Sequence, residues 1–172
     1  MARTAPDGGH LSMAVSAEAR LARLEARAEI GDLVARYAHG ADRGNDPAIM
    51  RTLFTPDATW SAAGFAALEG REAITKGLAE IAASRVLWSI HFMVSPHIVL
   101  APDGRSARCH WYLWELCTMA GDAGQRDEWL GGWYDSEAEW TEDGWKFRNV
   151  CLEIRLQGEA NPPWYLKQPV AR

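Results

Sequence analysis

Hydrophobic side chains in the first quarter of the sequence recur at steps of three and four residues, with charged residues between them. The recurring positions are Leu21, Leu24, Ala28, Ile30, Leu33, Val34, Tyr37, Ala38 and Ala41. This period predicts one long amphipathic helix, and Gly40 and Gly44 indicate where it ends. Two further helices are predicted, one over 47–54 with Pro47 in its first turn and one over 71–84.

The second half of the sequence alternates with a period of two, which is typical of strands with one buried face. Four long strands are predicted over residues 88–100, 106–119, 125–140 and 145–157. A shorter strand is predicted over 58–62, after a turn at 55–57. Helices followed by a run of connected strands predict an α+β fold, in which the helices lie on one face of a bent antiparallel sheet.

The length and composition are those of one folded domain. The chain has 172 residues, of which 48% are hydrophobic and 24% are charged. We predict that the domain covers residues 17–160. Residues 1–16 contain no long apolar run and are predicted to be a frayed tail. Residues 161–172 are rich in aromatic residues and proline, and we expect this extended tail to cover a pocket or a subunit interface.

The charge and the cysteines limit the partners of the chain. The formal net charge is -5, and no clustered basic face indicates nucleic-acid binding. No run approaches the roughly 18 apolar residues of a membrane span, so we expect a cytoplasmic protein that binds neither nucleic acid nor membrane. Cys109, Cys117 and Cys151 lie in apolar runs without metal-binding spacing, which predicts buried free thiols.

Four polar residues stand where the pattern favours apolar or oppositely charged ones. Glu115 shares a strand face with apolar residues, where a carboxylate is costly unless it is paired or protonated; alternatively, that end of the face is exposed and Glu115 pairs with a surface arginine. His91 lies in an apolar strand, where a hydrogen-bonded core histidine is the more common case. Tyr37 lies on the inner stripe of the first helix. Asp42 follows at the helix C-terminus, where the helix dipole disfavours a carboxylate, so we expect a compensating partner.

The remaining patterns concern ligands. Nine tryptophans indicate a wide apolar pocket or an interface as well as a core. Dinucleotide, P-loop and serine-hydrolase motifs are absent from the sequence. His91 and His97 do not have the spacing of zinc ligands. We therefore predict no metal and no cofactor, and a small apolar molecule as the partner.

Short motifs spread over most of the chain resemble a known superfamily. They are Tyr37–Asp42, Leu53–Ala58, Gly70–Ile74, Ile90–Phe92, Trp111–Glu115, Gly131–Tyr134 and Asp143–Trp145. Their order and spacing resemble the SnoaL-like, nuclear-transport-factor-2-like superfamily, especially the branch with scytalone dehydratase, hexachlorocyclohexane dehydrochlorinase and bile acid 7α-dehydratase. The resemblance implies a cone-shaped curved antiparallel sheet with N-terminal helices packed on its concave face, and a homo-oligomer, with a trimer favoured over a dimer.

The resemblance also implies catalytic residues. The Asp–His pair that these enzymes share falls on Asp42 and His91. The pattern of the bile acid dehydratase adds Tyr37, Glu115 and Arg155. Glu115 is expected as a second partner of His91, and Arg155 is expected to neutralise Glu115 or to hold an acidic substrate group.

Two positions depart from the family pattern. Ala62 stands at about the place of a second tyrosine, with Trp60 nearby. Tyr37 and Val150 stand where the dehydrochlorinase has a lysine and an arginine, which disfavours dehydrochlorination.

The function implied is a cofactor-independent dehydratase for a bulky polycyclic, steroid-like or polyketide-like hydroxy-carbonyl compound. Some of the following aromatic residues are expected to line its pocket: Trp60, Trp88, Trp111, Trp133 and Tyr134. The alternatives are a ketosteroid-type isomerase or a polyketide cyclase and, from another class, a non-catalytic binding or interaction module. Contact between Asp42 and His91 distinguishes the enzymes from the binding module, which does not need it.

Overall fold

The computed structural model of the chain describes residues 16–122 and 124–164. Within them lie three helices, α1 (Ala17–Ala41), α2 (Pro47–Met50) and α3 (Arg71–Ser84), and six strands, β1 (Phe54–Ala62), β2 (Ala66–Glu69), β3 (Val86–Leu100), β4 (Ser106–Gly121), β5 (Gly124–Thr141) and β6 (Gly144–Glu159). None of the helices in this described part is both long and apolar enough to cross a membrane.

The first helix ends between Gly40 and Gly44, as predicted, and α3 has the predicted bounds. Ser16, which was placed in the N-terminal tail, is instead the N-cap of α1, because its Oγ accepts a hydrogen bond from the backbone N–H of Ala19 at 3.1 Å. Such caps satisfy one of the unpaired N–H groups of the first turn. The rest of that predicted tail, and the end of the C-terminal one, lie outside the described residues.

The second helix is shorter than the predicted 47–54. After Met50 the backbone bonds tighten to three-residue steps, as in the contact of the Leu53 N–H with the Met50 carbonyl at 3.0 Å. The Leu53 carbonyl then accepts the N–H of Phe147 at 2.8 Å, so the chain has already joined the sheet. A hydrogen bond to a distant strand therefore ends the helix early.

The fold is α+β, as predicted, and its sheet is curled and open at both edges. Its strand order is β2-β1-β6-β5-β4-β3. The described pairings are antiparallel, as predicted, except that of β1 with β6, which is parallel. Residues 55–57, predicted as a turn, lie inside β1 at a register shift. The short strand β2 was not predicted.

Alternation along β4 decides which side chains face the helices. Ala107, Cys109, Trp111, Leu113, Glu115 and Cys117 are all buried, as the period of two requires. The helices α1 and α3 cover this inner face. Cys151 lies on the opposite side of β6 and is exposed, so the prediction of three buried thiols is wrong at that position.

One strand position requires glycine because a neighbouring backbone comes close. A Cβ built on Gly132 would lie 2.1 Å from the carbonyl oxygen of Glu153. Gly132→Ala is expected to destabilise the fold by about 1–3 kcal/mol, since the rigid backbone of β6 would have to move. Gly31→Ala is the matched control, because a Cβ there has no neighbour within 4 Å and alanine favours a helix. Urea denaturation measures both, and equal midpoints would contradict the expectation.

Candidate functional site

A cavity of about 310 Å³ lies between the end of α1, α3 and the inner face of the sheet. This volume is at the small end of the range for ligand pockets. Its polar lining includes Tyr37, Asp42, His91, Glu115 and Tyr134. Its apolar walls include Phe65, Leu78, Val86, Trp88, Leu152 and Ile154. The cavity is therefore apolar, with its ionisable groups supplied by α1 and by three neighbouring strands.

The carboxylate of Asp42 holds the ring of His91 in a fixed orientation. Asp42 Oδ1 lies 2.8 Å from His91 Nδ1 and also accepts the backbone N–H of His91 at 2.8 Å. Because a carboxylate only accepts hydrogen bonds, Nδ1 carries a proton and Nε2 is the nitrogen available for chemistry. Asp42 is the C-cap of α1. The backbone N–H and the ring Nδ1–H of His91 are therefore the compensating partners that were expected for a carboxylate at a helix C-terminus.

Glu115 lies on the other side of the imidazole. His91 and Glu115 are directly opposite each other in the pairing of β3 with β4, and Glu115 Oε2 is 3.5 Å from His91 Nε2. The Glu115 residue is 5% exposed, which excludes the alternative of an exposed carboxylate paired with a surface arginine. His91 thus lies between two carboxylates.

Burial and neighbouring charges change the protonation of this pair. Burial raises the pKa of Glu115, and the negative charge of Asp42 adds to the increase, while His91 opposes it. Burial lowers the pKa of His91, but the Asp42 hydrogen bond and the charges of Glu115 and Asp42 outweigh it and raise the pKa above its ordinary value of 6.5. Both groups therefore hold their protons to a higher pH than in water.

Tyr37 and Tyr134 form a second polar group in the cavity. The Trp60 Nε1–H donates to the Tyr37 hydroxyl at 2.7 Å, and the rings of Tyr37 and Tyr134 pack edge to face with 5.7 Å between their centroids. Burial raises the pKa of Tyr37 to about 12, and that of Tyr134 is also well above its ordinary value. Both phenols are therefore neutral hydrogen-bond donors at any physiological pH.

The comparisons with known proteins assign the family. The sequence profile of the SnoaL-like domain matches residues 22–150. The chain belongs to the SnoaL-like family. No curated protein sequence matches it.

Solved structures share the fold of this SnoaL-like chain. A hexachlorocyclohexane dehydrochlorinase (LinA) type 2 has 17% identity and a TM-score of 0.79, over 88% of this chain and 99% of the other. The LinA type 3 enzyme from Novosphingobium barchaimii has 19% identity and a TM-score of 0.78, over 87% and 99%. A candidate scytalone dehydratase from Novosphingobium aromaticivorans has 19% identity and a TM-score of 0.71, over 89% and 98%. At these identities the likeness shows the fold.

Three of the five aromatic residues predicted for the pocket line it in this SnoaL-like domain, namely Trp60, Trp88 and Tyr134. The prediction is wrong for Trp111, which is fully buried and stacks on Tyr134 at 5.0 Å between ring centroids, as part of the core. It is also wrong for Trp133, because strand neighbours point to opposite faces and Tyr134 already faces inward.

Arg155 does not join the site. Ile154 lines the cavity, so its neighbour Arg155 points to the outer face of the sheet. There it forms an ion pair with Glu153 and lies 5.2 Å above the Trp133 ring. The predicted roles for Arg155, pairing with Glu115 or holding an acidic substrate group, are contradicted by this placement.

Two polar residues near the SnoaL-like core were not predicted. The Asn45 Nδ2–H donates to the Leu78 carbonyl at 2.9 Å and fixes α3 against the end of α1 beside the cavity. Glu128 is buried outside the cavity, where Arg126 and Gln157 bind its carboxylate at 3.0 and 2.6 Å. The sequence signal for its burial was its position two residues before Leu130, on the same face of β5. No cluster of three or more His, Cys, Asp or Glu among the described residues is arranged to hold a metal ion.

Proposed function

We propose that this chain is a cofactor-independent lyase that removes water from a hydroxy-carbonyl compound in the cavity. The observation that carries the proposal is the row Asp42–His91–Glu115, with contacts of 2.8 and 3.5 Å, at the wall of an apolar cavity. Two solved structures of the same fold are named as dehydrochlorinases and one as a candidate dehydratase. Each of these names denotes an elimination, which supports this class of reaction.

The His91–Glu115 pair is proposed to act as acid and base together. When the pair holds one proton, one member is a base and the other an acid. The base takes the proton next to the substrate carbonyl, and the electrons of that C–H bond form the new double bond. The C–O bond breaks, and the hydroxyl leaves as water with the proton of the acid. Transfer of one proton across 3.5 Å then restores the pair.

Asp42 and Tyr37 complete the proposed machinery. Asp42 keeps the imidazole in one tautomer and stabilises the charge that develops on it, as a carboxylate does for catalytic histidines in general. Tyr37 donates a hydrogen bond to the oxygen on which negative charge develops, an interaction worth up to a few kcal/mol in a dry site. A binding module would need the cavity but not the fixed imidazole, so the contact with Asp42 favours an enzyme.

Asp42→Asn tests the orienting role. We expect kcat to fall by about 100-fold, because asparagine cannot stabilise an imidazolium and permits the wrong tautomer. The assay follows enone absorbance from a panel of fused-ring β-hydroxy ketones, chosen by the thermal stabilisation they give the protein. Asp135→Asn is the control, since Asp135 Oδ1 lies 2.8 Å from His110 Nδ1 outside the cavity. Unchanged kcat in Asp42→Asn would refute the assignment.

A further inference from the structure

A serine on β3 lies in the wall of the cavity. Ser89 precedes His91 by two residues, so alternation along the strand places both side chains on the inner face. The pairing of β3 with β4 agrees, because Ser89 is opposite Cys117 and His91 is opposite Glu115, and both of these partners are buried. Ser89 lines the cavity and is 8% exposed. Its hydroxyl therefore lies one row of the sheet away from the His91–Glu115 pair.

The hydroxyl of Ser89 is not used by the protein itself. Asp42, His91 and Glu115 contact one another, and the side-chain amide of Asn45 binds a carbonyl of α3. In the described part of the chain, by contrast, no hydrogen bond joins the Ser89 hydroxyl to a side chain or to the backbone. Its oxygen is also not one of the unpaired atoms that the protein seals from solvent. The hydroxyl is therefore open to the cavity and free to bind a ligand.

The end of the cavity near Ser89 is otherwise apolar. Four hydrophobic residues that line the cavity pack together here: Phe65, Val86, Leu130 and Ile154. The cluster on which they pack also contains Cys117, the residue opposite Ser89. Such surfaces bind the hydrocarbon part of a ligand, and the few polar groups among them fix its orientation. Ser89 is a polar group of this kind.

The distance between Ser89 and His91 determines where on the ligand each of them acts. Two residues along a strand are separated by about 7 Å. A group bound by Ser89 therefore lies on a different part of the ligand from the group that reacts at His91. The separation corresponds to substituents at opposite ends of two fused six-membered rings.

The charges of the cavity limit the group that Ser89 can bind. None of the described residues that line the cavity is a lysine or an arginine. A carboxylate or phosphate on the ligand would be buried without a cation, at a high cost. A serine hydroxyl both donates and accepts hydrogen bonds, so it suits an uncharged hydroxyl or keto oxygen.

We propose that Ser89 binds a second oxygen of the substrate, a hydroxyl or keto group on the ring beyond the one that reacts at His91. The substrate is then at least bicyclic and carries an uncharged oxygen at each end. The proposal rests on the proposed function for the reaction at His91. The contact with Ser89 itself requires only that the cavity binds such a ligand.

Two bicyclic ketones of similar size test this contact, trans-6-hydroxy-2-decalone and trans-6-methyl-2-decalone, and calorimetric titration measures their binding. Ser89→Ala should weaken binding of the hydroxy ketone by about fivefold, the usual contribution of one hydrogen bond. It should not weaken binding of the methyl ketone, which has no group for Ser89 to bond. Ser136→Ala is the matched control, because Ser136 is 5% exposed and its Oγ is also unpaired, but it does not line the cavity. It should change neither affinity.

Three results would overturn the proposal: an equal change for both ketones in Ser89→Ala, the same selective loss in Ser136→Ala, or no binding of the hydroxy ketone to the wild type. Neither ketone has a hydroxyl β to its carbonyl, so binding is measured without turnover. A selective loss in Ser89→Ala in a protein that eliminates water from no substrate would refute the lyase assignment alone. With an active enzyme, Ser89→Ala should raise KM for a substrate oxygenated at both ends and leave kcat unchanged, unlike the variants of His91 and Asp42.

Discussion

Replacing His91 with alanine is expected to lower kcat/KM for the elimination by at least about 100-fold, with no loss of folded structure. Its imidazole is the group between the two carboxylates, at 2.8 Å from Asp42 and 3.5 Å from Glu115. Without the imidazole, Asp42 holds no proton acceptor of suitable pKa. Glu115 also loses the group with which it exchanges a proton after each turnover. Enone absorbance measures the rate, and circular dichroism measures the fold.

His110→Ala is the matched control for this experiment. His110 forms the same Nδ1–Oδ1 contact of 2.8 Å, with Asp135, but it does not line the cavity. Its replacement removes an equivalent hydrogen bond and should leave kcat/KM unchanged. Near-normal turnover in His91→Ala would be incompatible with the mechanism, whereas an equal loss in both variants would indicate a structural effect.

The second large effect is expected at Glu115, where activity and stability should change in opposite directions. Glu115→Gln should lower kcat by about 100-fold, because glutamine can neither accept nor release the second proton. The wild-type rate should follow a bell-shaped pH profile, since only the singly protonated pair is active. The pKa values of the two limbs should lie above 4.5, the ordinary value of a glutamate, and above 6.5, that of a histidine, because the protein raises the pKa of both Glu115 and His91. The variant should lose the bell shape.

The stability of the same variant follows from proton linkage. Because the folded-state pKa of Glu115 is raised, the folded chain retains a proton that the unfolded chain loses above about pH 4.5. The wild-type free energy of unfolding therefore falls as pH rises from the unfolded to the folded pKa. Glu115→Gln removes this decrease, so its advantage over wild type in urea denaturation should be larger at pH 8 than at pH 5.

Glu153→Gln serves as the control for the stability measurement. Glu153 pairs with Arg155 on the outer face, and its side chain is 46% exposed, so solvent screens its charge. Its replacement should not change the dependence of stability on pH. If Glu115→Gln also left the dependence of stability on pH unchanged, the buried carboxyl would not be holding an extra proton in the folded state.

The four central site residues could be predicted because local patterns carry their signal. Alternation along one strand places Glu115 inward, and a carboxylate at a helix end marks Asp42 as needing a partner. The family resemblance then paired Asp42 with His91. Their 2.8 Å contact joins residues that are 49 positions apart in the sequence, which no local pattern indicates.

The errors arose where distant parts of the chain determine the outcome. Alternation correctly places Trp111 inward, but it does not reveal that Tyr134 and Phe147 fill the space in front of its ring. Arg155 lies within a register shift of β6 against the Gly131–Gly132 step of β5, and a shift of one residue reverses the face of a side chain. The parallel pairing of β1 with β6 has no local signal, since the turns between strands indicate only antiparallel neighbours.

That parallel pairing also sets the order in which the molecule can form. Thr59 meets Asn149, which is 90 residues further along the chain, and contacts of such long range are slow to form. The strand β1, which carries Trp60, is joined to β5, β4 and β3 through β6. A chain that lacks β6 therefore lacks the strand between Trp60 on β1 and Tyr134 on β5, and the wall of the cavity is complete only after β6 has joined the sheet.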